Sequence, residues 1–134
     1  MNQTTLPTDP TDPTAHRVAI LGASPKPDRY AHLAQKMLTE EGYPVLPIHP
    51  KIGEIEGVSV YPDLASVPQP VHTLTLYVGP ARSEPLVDAI IALAPQRVIF
   101  NPGTESPTLE AALQQQGIET MQACTLVLLR TKQF

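Results

Sequence analysis

The stretch Gly22-Ala23-Ser24-Pro25-Lys26-Pro27-Asp28-Arg29 places a glycine, a hydroxyl and two cations directly after an apolar run and directly before a helical pattern. At such a junction the N–H groups of the loop and of the first helical turn point toward one spot, which suits an anion. Lys26 and Arg29 add full charge there, so the implied chemistry is phosphate binding. The spacing is neither G-x-G-x-x-G nor G-x-x-x-x-G-K-[ST]. The plain alternative is a tight turn with two solvated cations. A second run, His49-Pro50-Lys51-Ile52-Gly53, carries a lysine where an NAD site would carry Asp or Glu for ribose hydroxyls. A cation there favours a ribose that bears a phosphate. A third, Tyr77-Val78-Gly79-Pro80-Ala81-Arg82, is small and apolar apart from Arg82, and fits the uncharged middle of a ligand. A fourth, Asn101-Pro102-Gly103, is a strong turn sequence whose interest comes from its place in the chain.

What places these four runs together is the pattern between them. Arg17–Leu21 reads as a buried strand, followed by an apolar helical stripe at Tyr30, Leu33, Ala34, Met37 and Leu38, with Gln35, Lys36, Glu40 and Glu41 facing away. Gly42 falls at the C-cap position and Pro44 blocks continuation. Val45–Ile48 is the next strand, completing a βαβ unit with a right-handed crossover. Further strands are predicted at Val58–Val60, Thr73–Val78, Val98–Phe100 and Glu119–Met121. Helices are predicted over Ser83–Leu93, with Pro85 in the first turn, and from the Ser106-Pro107 N-cap pair to Gly117. In Thr73–Val78, Thr73, Thr75 and Tyr77 form the less apolar face. The Leu126–Leu129 run is either a terminal strand or a short helix. Strands alternating with helices define a doubly wound parallel α/β sheet in a three-layer sandwich. In that architecture ligands bind outside the carboxyl ends of the strands, where all four runs fall.

The 134 residues fit one domain, with Cys124 as the single cysteine and therefore no internal disulfide. Residues 1–14, rich in Thr, Asp and Pro, are expected to be a disordered tail, leaving 15–134 as the folded domain. Aromatic residues make up 4% of the chain, with no Trp, and the formal net charge is -4. A nucleic-acid partner is therefore not expected. No apolar run is long enough to span a bilayer, no secretory segment is visible, and the expected location is the cytoplasm. His16, His32, His49 and His72 lack paired metal-ligand spacing, and there is no G-x-S-x-G elbow. No catalytic constellation emerges, and Cys124 is expected to be buried or half-buried after the last strand.

On VAILGASPKPDRY, PIHPKIGEIEGVSVYPDL and IFNPGTES, in that order, the sequence resembles the small CoA-binding domain family from His16 to about Leu129. More distantly it resembles the CoA-binding domain of the succinyl-CoA synthetase alpha subunit. The resemblance implies a five-stranded parallel Rossmann-like sheet and coenzyme A or an acyl-CoA as the small-molecule nucleotide ligand. It implies that Ala23, Ser24, Pro25 and Lys26 meet the CoA phosphates and that Lys51 lies near the adenosine 3′-phosphate. Val78, Gly79 and Pro80 would line the groove, and Asn101, Pro102 and Gly103 would lie near the pantetheine arm. With Gly22, Arg29, His49, Pro50 and Arg82, these are the candidate cofactor-binding residues. The synthetase's phosphohistidine belongs to a further domain with no counterpart here, which points to a non-catalytic carrier, sensor or regulatory module. A homodimer or an unknown protein partner stays open. The alternative function is an NADP-dependent oxidoreductase or other nucleotide-using enzyme on the same fold.

Overall fold

The computed structural model describes residues 16–134; the tail expected over residues 1–14 lies outside them. Five parallel strands form the central sheet: β1 (Val18–Leu21), β2 (Val45–Ile48), β5 (Thr73–Leu76), β6 (Arg97–Phe100) and β7 (Glu119–Gln122). Their order is β2-β1-β5-β6-β7. Strand order therefore reverses between β1 and β5, and the loops leaving these two strands diverge there. A two-stranded antiparallel hairpin, β3 (Glu54–Ile55) and β4 (Val58–Ser59), stands apart from the sheet.

Alternation along each strand divides the core into two layers. Ala19, Leu21, Leu46, Ile48, Leu74, Leu76, Val98 and Phe100 face one side, where they meet α3 (Val87–Leu93) through Ile90 and Leu93 and α4 (Pro107–Gln115) through Leu109 and Leu113. Val18 and Ile20 face the other, with Ala31 and Leu38 of α1 (Tyr30–Glu40) and Leu129 of α5 (Thr125–Arg130). The ambiguous Leu126–Leu129 run is thus the body of a helix. Ser106 caps α4 by accepting from the Leu109 N–H at 3.1 Å, as the Ser-Pro pair predicts.

Two local expectations needed revision. The predicted helix over Ser83–Leu93 begins earlier and is broken: α2 (Pro80–Ser83) runs into a 3-10 turn at Glu84–Leu86 before α3. Pro80 takes the first-turn position, while Pro85 has no N–H for an i−4 bond, so the chain tightens there. On α1, Gln35 is buried and Tyr30 is 65% exposed, the reverse of the stripe. The cause is the hairpin, which covers that flank and accepts a 3.0 Å bond from Gln35 Nε2 at the Ile55 carbonyl. On β5 the threonine face is also fully buried. Thr73 receives Arg97 Nε at 2.8 Å, and Thr75 pairs with the Thr125 hydroxyl at 2.8 Å.

Candidate functional site

At the switch between β1 and β5, Gly22 leaves β1 with φ +92, a left-handed backbone that glycine alone adopts without strain. The chain then turns across the top of β2, Ala23 N–H donating to the Ile48 carbonyl at 3.2 Å. Ser24 Oγ accepts from the Lys26 N–H at 3.1 Å, which folds the loop and leaves the hydroxyl proton free to donate. Arg29 occupies the N-cap position of α1, and no side chain caps that helix. Its first N–H groups and its positive dipole end therefore remain available to an anion.

These pieces surround a cleft of about 640 Å³. Gly22, Ala23, Ser24, Pro25, Lys26 and Arg29 line one wall, His49 and Ile52 a second, and Tyr77, Val78 and Arg82 a third. Lys26, Arg29 and Arg82 bring three cations to the lining against one carboxylate, Asp28. Beside it, on the α3 side of the sheet, lies a chamber of about 410 Å³ bounded mainly by apolar groups, among them Leu21, Ile48, Pro50, Leu64, Leu86 and Ala89. The two spaces share Gly22, His49, Val78 and Arg82, so they lie side by side at the carboxyl edge of the sheet. Volumes of this size match ordinary small-molecule sites.

His49 stands at the junction. Its Nδ1 accepts the Lys51 N–H at 3.0 Å, so the proton of the neutral ring belongs on Nε2. Tyr77 contributes to the lining of the cleft, and burial, only partly offset by the nearby Thr125 and Thr75 hydroxyls, pushes its phenol up to about 12.

The structure thus brings the first three candidate loops together, though not every residue in them. Lys51 is exposed at the β2 exit, outside the lining of either space. Gly79 and Pro80 serve as the N-cap and first residue of α2 and also lie outside the lining. The fourth loop stands apart. Asn101 is 2% exposed, and its amide donates to the Thr75 hydroxyl at 2.6 Å and the Leu76 carbonyl at 2.8 Å while its oxygen accepts from the Thr125 N–H at 2.8 Å. It ties β5 and β6 to the start of α5. Pro102 and Gly103 are exposed beyond it. Sequence reasoning missed Tyr30 and the apolar chamber. The chamber walls belong to segments that look like ordinary core.

The parallel sheet, with its paired polar and apolar spaces at the switch point, defines a Rossmann-like domain. The chain belongs to the CoA binding domain family, whose model matches residues 16–130. A solved protein described only as uncharacterized superposes with a TM-score of 0.84 at 40% identity, covering 89% of this chain and 98% of that one. A protein from Thermus thermophilus superposes with a TM-score of 0.81 at 31% identity, covering 89% and 90%. The uncharacterized protein YneT of Bacillus subtilis (strain 168) is 33% identical over 70 residues, 52% of this chain. The matched segment spans 50% of that relative's length.

Proposed function

We propose that this protein binds coenzyme A or an acyl-CoA across the two adjacent spaces and works as a carrier, sensor or regulatory module. The carrying observation is their complementarity: a cationic cleft at an uncapped helix N-terminus, beside an apolar chamber. The diphosphate belongs over Ser24, Lys26 and Arg29, where amide dipoles and two cations converge. The flat, uncharged base belongs in the chamber beside Ile48 and Pro50. With the base there, the adenosine 3′-phosphate falls toward Lys51 at the same strand exit, and the pantetheine arm leaves past Tyr77 and Tyr30.

Family membership supports the ligand class. The non-catalytic part of this reading rests on the cleft's described lining, where Asp28 shares the walls with three cations and His49 Nδ1 is engaged by backbone.

The test is a calorimetric titration with CoA, dephospho-CoA, NADPH and NAD. CoA should bind most tightly, with dephospho-CoA about tenfold weaker, ~1.4 kcal/mol for one charge-assisted contact. NADPH tighter than CoA would move the protein to the oxidoreductase reading, and no binding of any of the four would remove the coenzyme reading.

A further inference from the structure

The β3–β4 hairpin turns through Glu56 and Gly57, at φ +53 and +77. Two central residues with positive φ make a turn that favours Gly, Asn or Asp. Glutamate at the first of them is a strained choice unless its side chain is needed. That side chain reaches back to α1, where His32 Nε2 donates to Glu56 Oε2 at 2.9 Å. His32 is 4% exposed, and its Nδ1 has no partner among the described residues, so the bond to Glu56 is the one polar contact its ring makes with them.

The two ends of this bond belong to the two loops that carry the cations. His32 lies in the first turn of α1, its N–H bonded to the Arg29 carbonyl at 3.0 Å, directly after the Ser24–Arg29 loop. Glu56 closes the hairpin that continues from Lys51 and Ile52, and the hairpin's base is fastened by Val60 N–H to the Gly53 carbonyl at 3.0 Å. Ile55, 2% exposed, is buried in the same cluster as Ala23 and Ala31, which are both wall residues of the cleft.

We infer that the His32–Glu56 bond is a positioning clasp: it holds the hairpin to the head of α1 and thereby sets the spacing of the Lys26–Arg29 and Lys51 loops across the ligand. Ile55 burial and the Gln35 bond to the Ile55 carbonyl anchor one strand of the hairpin; the clasp adds a second tether from α1, at the turn residue itself. His32 and Glu56 are positioning residues and touch no ligand. The effect on affinity rests on the coenzyme reading above, whereas the effect on hairpin order does not.

Glu56→Gly separates the two roles of the residue, since glycine accepts the turn conformation without strain while removing the carboxylate. Relief of the turn strain offsets the unpaired His32 Nε2–H, so this variant should unfold within a few degrees of the wild type, yet bind CoA about fivefold more weakly, ~1 kcal/mol. Amide exchange at Val60 and at His32–Leu33 should be faster in it. Glu56→Gln keeps an acceptor for Nε2–H and should restore both affinity and exchange. A Glu56→Gly protein with wild-type CoA affinity overturns the proposal, as does a Glu56→Gln protein no better than Glu56→Gly. If the wild type itself binds no CoA, the functional reading falls and exchange alone decides the clasp: unchanged protection in Glu56→Gly overturns it, and faster exchange upholds it.

Discussion

Gly22 lies so close to Val78 that a Cβ on the glycine would fall 2.8 Å from Val78 Cγ1 and 3.2 Å from the Tyr77 carbonyl carbon and oxygen. The exits of β1 and β5 can touch only because one of them has no side chain. Both spaces of the candidate site are lined by this contact.

Gly22→Ala therefore meets two penalties, a left-handed backbone and an overpacked seam. It should cost about 2–4 kcal/mol, read as a lower denaturant midpoint at unchanged slope. A loss below about 0.5 kcal/mol, the range of an unremarkable surface change, would mean that the seam yields easily.

Lys26→Glu reverses a charge in the cationic cleft without touching the core. CoA affinity should fall about tenfold or more, ~1.4 kcal/mol per decade, with the melting temperature within a degree or two of wild type. Lys26 is exposed, so the wild-type affinity should also weaken as ionic strength rises. Affinity indifferent to both changes would place the diphosphate elsewhere.

Asn101→Ala removes two donated bonds and one accepted bond in a fully enclosed position. The Leu76 carbonyl and Thr125 N–H are left without their partner, at about 2–4 kcal/mol. Thermal unfolding and exchange at Thr125 report this directly. A small effect on stability joined to a large effect on CoA binding would give Asn101 a ligand role instead.

At the opposite end of the sheet, His16 lies against His72 with ring centroids 3.8 Å apart and planes tilted by 39°, and meets the edge of Tyr43 at 4.7 Å. Burial, followed by the charges of His72 and Arg97, lowers the His16 pKa from 6.5 to about 4, and burial lowers His72 as well. A lowered histidine pKa means that the unfolded chain takes up the proton first. The stabilisation is complete above pH 6.5 and is lost as pH falls toward 4. His16→Phe retains the ring contacts and should flatten the fall in melting temperature across that window. Parallel pH profiles for variant and wild type would assign the acid sensitivity to other groups.

The order of strands and helices was legible because each run has its own period and punctuation. Arg17–Leu21, the Gly42-Pro44 stop and the Ser106-Pro107 start are local signals, and local physics decides them. What the sequence hid was set by distant partners. Gln35 is a polar residue on a helix, and nothing near it in the chain announces that the Ile55 carbonyl will lie above it. Asn101 looked like a turn former available to a ligand, yet three groups from β5 and α5 engage its side chain. The cationic loops could be located from strand exits alone. The chamber beside them could not, since Leu64, Leu86 and Ala89 become a wall only once the 3-10 turns at Leu64–Ser66 and Glu84–Leu86 have set their approach.

The seam at Gly22 and Val78 also limits the shape of what the protein can hold. One compartment opens on the α1 side of the sheet and the other on the α3 side, so a molecule filling both must arch over the strand ends. Length and charge are then insufficient for recognition. A stiff aromatic polyphosphate would occupy one compartment and stop, while a supple chain with its bend near the phosphates would reach into both.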